Sequence, residues 1–227
     1  MRGMRAVPFV RGRREPLTDR PDDPSRYLRC MEEVQDRLRL VKSVTSRKLS
    51  TGREFADAEF VFLQLRKVLE LIAFASLTAN KETYSAAHAK FATHWNAKWM
   101  LADLEKVNPE FYPMPVGKPQ EQADGIKHFP VVSGEFLAKD DFILLYDKCG
   151  EVLHARNPFT DKSSTIDVLY PVTQWLSRIQ TLLEIHVMHL LGGNKWVIFL
   201  PEDGEIHLLP ATPVQHRRSW PAKERKP

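Results

Sequence analysis

The sequence has few of the residues that form several common kinds of site. Cys30 and Cys149 are the only cysteines in the chain, and they lie too far apart in sequence to form a metal-binding pair. A disulfide framework is therefore not expected, which is typical of a protein from a reducing compartment. The chain also lacks a glycine-rich loop with the phosphate-cradling pattern. We therefore predict no nucleotide cofactor, and no other cofactor is indicated.

Long apolar runs are absent as well. The longest run in the basic N-terminal stretch, Ala6 to Val10, contains Pro8 and is too short for the core of a signal peptide. No stretch reaches the roughly 20 apolar residues that a transmembrane helix requires. We therefore expect a cytoplasmic protein that does not associate with a membrane.

The positive charge of the chain is concentrated at its two ends. The formal net charge is +4, yet residues 1–14 carry five arginines and no acid, and residues 215–227 are also strongly basic. The rest of the chain carries five more acidic than basic residues. Basic tails bind phosphate backbones electrostatically, but solvated, disordered ends explain the same composition.

Apolar periodicity predicts a helical bundle. The stretch from Glu59 to Leu77 is apolar on nearly every side, which predicts a central helix enclosed by other helices. An amphipathic pattern from Ser25 to about Arg47 predicts a helix that forms an antiparallel hairpin with the central one. Further helices are predicted within residues 81–107, from Asp141 to about Ala155, and from about Thr165 to Leu191.

The predicted fold class is mainly α, with about five helices, an irregular excursion and a small C-terminal β-hairpin. We divide the chain into a disordered basic arm (1–24), a helical bundle (25–191), a hairpin (192–214) and a basic tail (215–227). The proline-rich excursion covers residues 108–138. Its aromatic part, Phe111 to Pro115, is either a strap over the bundle or a docking segment for a partner.

The most unusual local stretch is YDKCGEVLHARNPF, from Tyr146 to Phe159. It brings Lys148, His154, Arg156 and Asn157 to the end of a predicted helix. A histidine can act as general acid or base, and an arginine can bind a phosphate through paired donors. The alternative is that His154 and Arg156 interact with the last carbonyl groups of the helix and have only a structural role.

Two charged residues interrupt the apolar central helix. Arg66 and Glu70 lie four residues apart, a spacing that allows an ion pair on one helix face. Because a buried charge without a partner is costly, these residues mark a polar spot inside the bundle. The pair is either purely structural or part of a functional groove.

The segment LRKVLELI (Leu65 to Ile72), followed by a late helix that ends in His154 and polar residues, resembles the HEPN superfamily. The resemblance covers about residues 54–155. It implies a helical bundle. Many members are metal-independent RNases of toxin, antiphage or RNA-processing systems, and many others are inactive scaffolds.

Active HEPN proteins carry an arginine four to six positions before a histidine on a late helix, and this chain departs from that pattern. The basic residue in this place is Lys148, which is separated from His154 by five residues and followed by Cys149. The resemblance implies Lys148 and His154 as catalytic residues. Arg66 and Glu70 would line the same groove.

Other candidate residues have weaker patterns. His186 and His189 lie three apart beside Glu184, but a further ligand at matching spacing is missing, so no metal site is predicted. Cys149 lies on an apolar face and is expected to pack as a small hydrophobic residue, although a Cys149–His154 nucleophile pair is the alternative.

Two functional hypotheses follow from these patterns. The first is a HEPN-like protein that acts on RNA, with a catalytic group of Lys148, His154, Arg156 and Glu70 at the seam of a homodimer. In it, Arg66 and Asn157 contact the nucleic acid. The second is a non-catalytic scaffold that binds a protein partner through the hairpin, the proline-rich loop and the basic tails.

Overall fold

A computed structural model describes residues 24–80, 96–121, 127–132, 134–155, 159, 168–191 and 193–211. Five helices dominate this part of the chain and are joined by a small four-stranded antiparallel sheet, which confirms the predicted fold class. None of the described helices combines the length and the apolar character needed to cross a membrane. The predicted basic arm, apart from Pro24, and the predicted basic tail lie outside the described residues.

The helices occupy the following positions in the chain. They are α1 (Ser25–Thr45), α2 (Glu54–Ala79), α3 (Ala97–Val107), α4 (Lys139–Leu153) and α5 (Val172–Leu183). The strands are β1 (Met114–Pro115), β2 (Gln120–Glu121), β3 (Lys127–His128), β4 (Ile185–His189), β5 (Lys195–Phe199) and β6 (His207–Ala211).

Helices α1 and α2 form the predicted hairpin. Arg37 Nη1 of α1 donates to Gln64 Oε1 of α2 at 2.7 Å, and these two residues are nearly equidistant in sequence from the turn. At the turn, the side chain of Ser50 and the backbone N–H of Thr51 donate to the carboxylate of Asp57. These bonds hold the pKa of that carboxyl below its usual value. The apolar face of α1, which includes Met31 and Val34, is thereby buried against α2.

Helices α3 and α4 pack on the other side of α2 and run antiparallel to each other. Lys98, at the start of α3, pairs with Asp147 at 2.9 Å, whereas Glu105 near its end pairs with Lys139 at the start of α4. Asn108 ends α3, as the following proline predicts. Helices were predicted within residues 81–107, and the first part of that region, residues 81–95, lies outside the described residues.

The last predicted helix was wrong in its C-terminal part. Helix α5 begins directly after Pro171 and ends at Leu183, and residues 185–189 then form strand β4 instead of continuing the helix to Leu191. The bundle predicted for 25–191 therefore contains a strand. A short apolar run fits a helix and a strand equally well, and the choice here depends on pairing with β5, in which Ile185 faces Phe199 and His189 faces Lys195.

The predicted C-terminal hairpin exists and belongs to a larger sheet with the strand order β1-β4-β5-β6. Its inner face packs on the bundle through Met188 of β4 and Ile198 of β5. Its outer face is a second, smaller cluster that contains Val187 and Val197 and is covered by Phe129. Strands β4 and β5 are therefore buried on both faces, and β5 is continuously apolar from Trp196 to Phe199, whereas β4 includes the buried His186.

The excursion is fixed to the bundle at both ends. Phe111 is buried in the main core, and the Tyr112 hydroxyl donates to Leu137 O at 2.9 Å. The buried guanidinium of Arg178 pairs with Asp141 at 2.7 Å and with Glu135 at 2.8 Å. These contacts favour the strap interpretation of the segment over the docking interpretation.

Candidate functional site

A polar cluster lies where α2 meets α4. Arg66 Nη2 of α2 donates to the Tyr146 hydroxyl of α4 at 2.8 Å, and its guanidinium carbon lies 4.2 Å from the centroid of that ring. Arg66 Nε lies 3.3 Å from Glu70 Oε1, and Lys67 Nζ lies 2.8 Å from Glu70 Oε2. The predicted polar spot on the central helix therefore exists, at the α2–α4 seam rather than in the deep interior.

Solvent reaches this cluster. The side chains of Arg66 and Glu70 are 28% and 16% exposed, whereas Tyr146 is almost fully buried. The ring of Tyr146 is thus a fixed platform on which the guanidinium rests. A partly exposed arginine held in this way presents its remaining donors in a defined direction.

Gly150 leaves room beside the guanidinium. A Cβ atom at this position would lie 3.4 Å from Arg66 Nη1, at the short limit of ordinary van der Waals contact. Nη1 has no hydrogen-bond acceptor among the described residues. It is therefore the donor of this side chain that remains available for a ligand.

His154 lies one helical turn beyond Gly150. It is the C-terminal cap of α4, and its backbone N–H donates to Gly150 O at 3.1 Å. Tyr146, Gly150 and His154 recur every four residues, so they follow one another along the same side of α4. The side chain of His154 is exposed and has no hydrogen-bond partner among the described residues.

The other predicted site residues lie elsewhere. Lys148 is on a different side of α4 from Tyr146 and Gly150, and its ammonium pairs with Glu151 at 3.0 Å. Arg156 and Asn157 lie outside the described residues. The structure thus brings Arg66 and Glu70 together on α2, with Tyr146 against them. It does not join Lys148 to that cluster.

Cys149 is unsuited to nucleophilic catalysis. Its side chain is fully buried, and burial raises the pKa of the thiol to about 12, with Arg66 opposing and Glu70 reinforcing the shift. A thiol in this state is almost entirely protonated near neutral pH. Cys149 packs as a small hydrophobic residue, as expected.

The two histidines considered as metal ligands have different surroundings on β4. His186 is fully buried, and its ring nitrogens lie 2.5 Å from the Tyr27 hydroxyl and 2.8 Å from Leu183 O. His189 Nδ1 lies 3.0 Å from Glu110 Oε2. Within the part of the chain that the structure describes, no group of three or more His, Cys, Asp or Glu residues is arranged to hold a metal ion.

Tyr146 was missed as a member of the cluster. The signal for it was its spacing of four residues from Gly150 and eight from His154, which places the three on one helix side. Its contact with Arg66 joins residues 80 positions apart and has no local pattern in the sequence. Comparison of the chain with protein-family models, with curated proteins and with solved structures found no match.

Proposed function

We propose that the protein is a HEPN-like, metal-independent RNase whose site lies at the α2–α4 seam. The observation that carries this proposal is the position of Arg66 Nη1 beside Gly150, one turn before the exposed His154. This donor of the guanidinium has no acceptor among the described residues, although Nε pairs with Glu70. One helical turn corresponds to about 5.4 Å along the axis, which is comparable to the size of a phosphate group. A phosphodiester would bind between the guanidinium and the imidazole.

The proposed roles follow from the chemistry of each group. His154 removes the proton from the 2′-hydroxyl of the RNA, and that oxygen attacks the adjacent phosphorus. Arg66 stabilises the negative charge that develops on the phosphoryl oxygens. The bond from phosphorus to the 5′ oxygen breaks, that oxygen takes a proton from water, and the product carries a 2′,3′-cyclic phosphate.

Arg66 replaces Lys148 in this proposal as the cation of the site. Lys148 lies on a different side of α4 from Gly150, and a lysine lacks the forked donors that bind two phosphate oxygens at once. Glu70 contacts the guanidinium at Nε, whereas Tyr146 accepts from Nη2, so Glu70 acts as a positioning residue. The resemblance of residues 65–72 to HEPN domains supports the same class of activity.

The test is cleavage of end-labelled single-stranded RNA and transfer RNA by the purified full chain in EDTA. Cleavage is expected to be lost in His154→Ala and strongly reduced in Arg66→Met, whereas Lys148→Ala retains it. His207→Ala is the matched control, because His207 is an exposed histidine on the distant strand β6. A substrate with 2′-deoxyribose at the cleaved position must resist cleavage. Activity that requires a metal, or that survives in His154→Ala, contradicts the proposal.

A second candidate is a scaffold that binds a protein partner or a second copy of the chain. The observation in its favour is that Phe55 and Leu63, both on α2, are 68% and 41% exposed, although large apolar side chains are usually buried. Sedimentation of the wild-type chain and of Leu63→Glu tests it. Self-association that Leu63→Glu abolishes, without RNA cleavage by the wild type, favours the scaffold.

A further inference from the structure

A groove of about 340 Å³ lies between α1, α5 and the loop that joins β5 to β6. Its floor is apolar and consists of Leu38, Leu183 and Leu200, all buried. Polar side chains stand around this floor. A volume of this size falls in the range of small-molecule sites, and the apolar floor is surrounded by a mostly polar rim.

Gln35 supplies an unused acceptor to the groove. Its side chain is 8% exposed, and Nε2 donates to Pro201 O at 2.7 Å and to Gly204 O at 3.3 Å. Because the amide group donates to two carbonyl oxygens, the atom facing them must be the nitrogen Nε2, and the other atom is the oxygen Oε1. The carbonyl oxygen Oε1 has no donor among the described residues, and Gln35 lines the groove. This oxygen is accessible from the groove, where an occupant that donates a hydrogen bond can pair with it.

The two cations of the groove are already neutralised. Arg39 pairs with Asp36 at 3.0 Å and with Asp203 at 3.1 Å, and Lys42 pairs with Glu202. These pairs link α1 to the loop above the groove. They leave no basic side chain of the lining available to an anionic occupant.

Glu184 is the lining residue whose charge is not compensated. It follows the last residue of α5, and its carboxylate has no ion pair or hydrogen bond among the described residues. Its backbone is well fixed, because its N–H donates to Gln180 O and its C=O accepts from Leu200 N, each at 2.8 Å. Among the described residues, the groove therefore presents one exposed carboxylate without a partner, carried on a fixed backbone, and one acceptor without a donor.

We propose that this groove binds a small molecule that carries an ammonium or guanidinium group on a short apolar stem. The cation pairs with Glu184 and donates to Gln35 Oε1, and the stem lies on the leucine floor. An anionic ligand is disfavoured because it meets Glu184 with Glu202 nearby. This site shares no residue with the proposed RNA site, so either proposal can fail alone.

The experiment is isothermal titration of the full chain with agmatine and butylamine, and with butyrate as the anionic counterpart. Agmatine and butylamine are expected to bind saturably and butyrate not to bind. The Glu184→Gln variant loses a charge-assisted hydrogen bond, so its affinity for agmatine is expected to be lower than that of the wild type by about tenfold or more. The matched control is Glu205→Gln, because Glu205 is an exposed acid on the adjacent loop. This variant is expected to bind agmatine with the wild-type affinity.

A second readout does not depend on a variant. Titration of agmatine into the labelled wild-type chain is expected to shift the amide resonances of Ser177 and Thr181, which line the groove, and to leave those of Tyr146 and Gly150 unchanged. The proposal is overturned by absence of saturable amine binding, by equal agmatine affinity in Glu184→Gln, or by tighter binding of butyrate.

Discussion

His186 and His154 occupy opposite environments in the same molecule. His186, in strand β4, has no exposed surface, and both of its ring nitrogens are hydrogen-bonded. Because Leu183 O can only accept, Nδ1 carries the proton, and Nε2 accepts from the Tyr27 hydroxyl. His154 stands exposed at the end of α4 with both nitrogens available. The first arrangement suits a residue that holds elements together, and the second suits a residue that exchanges protons with a ligand.

The comparison extends to the neighbours of each histidine. His186 of β4 connects the sheet to α1 and α5, because it bonds to Tyr27 and to Leu183, and Tyr27 in turn makes an edge-on ring contact with Trp196 of β5. One turn before His154, Arg66 Nη1 lies beside Gly150 and has no acceptor among the described residues. If this distinction is correct, substitutions at the two places must separate effects on stability from effects on function.

The largest expected effect is that of His186→Ala. The change leaves a cavity in the core and strands the Tyr27 hydroxyl and Leu183 O without partners, so it is expected to lower the free energy of unfolding by about 3 kcal/mol or more. Urea unfolding followed by circular dichroism measures it. His207→Ala, at an exposed position, is the control and is expected to change stability by less than about 0.5 kcal/mol. A loss below about 1 kcal/mol in His186→Ala contradicts a structural role for the buried pair.

The next effect is a loss of stability in acid. Burial lowers the pKa of His186 from 6.5 to about 4, and the bond to Leu183 O only partly opposes this. Between pH 6.5 and about pH 4, the unfolded chain binds a proton at this residue and the folded chain does not. The free energy of unfolding therefore falls as the pH falls through this range. The contribution amounts to about 3 kcal/mol at most, and it is fully present above pH 6.5.

Urea unfolding at several pH values between 8 and 4 measures this loss, and the imidazole resonances of His186 report its protonation directly. His186→Gln, which does not titrate, is expected to show a smaller dependence over the same range. A wild-type stability that is level between pH 6.5 and about 4 would contradict the assignment.

The sequence predicted the elements whose patterns are local. The amphipathic face of α1 and the apolar body of α2 are periodic over many turns, and the proline after Asn108 marks the end of α3. Strand β4 was missed because its pairing with β5 is a tertiary contact. The partner of His186 was not predicted for a related reason, since Tyr27 lies 159 positions away.

The candidate site was predicted in part. The charges of Arg66 and Glu70 on an apolar helix indicated a polar spot, because unpaired charges are not buried without cost. The choice of Lys148 as the cation depended on spacing along one helix, whereas the cation nearest to Gly150 in space comes from another helix. Proximity of this kind follows from how α2 and α4 pack, which no local pattern specifies.

A smaller effect is expected at the Arg66–Glu70 pair. Both side chains are partly exposed, so water screens their attraction, and a double-mutant cycle with Arg66→Met and Glu70→Gln is expected to give a coupling of at most about 1 kcal/mol. Arg66→Met alone also loses the contact with the Tyr146 ring. Urea unfolding of the two single variants and the double variant measures the coupling. A coupling of several kcal/mol would instead indicate a buried structural pair and would weaken the proposed role of Arg66 in binding phosphate.

The smallest effect on stability is expected for His154→Ala. The side chain is exposed and has no partner among the described residues, and the bond to Gly150 O comes from the backbone and survives the substitution. The free energy of unfolding is therefore expected to stay within about 0.5 kcal/mol of the wild-type value. The same urea titration that is used for His186→Ala measures it. A loss of more than about 1 kcal/mol would show that His154 caps the helix, and any loss of RNA cleavage in this variant would then reflect altered structure. A variant that unfolds like the wild type and no longer cleaves RNA would separate the two histidines completely, one maintaining the fold and the other its chemistry.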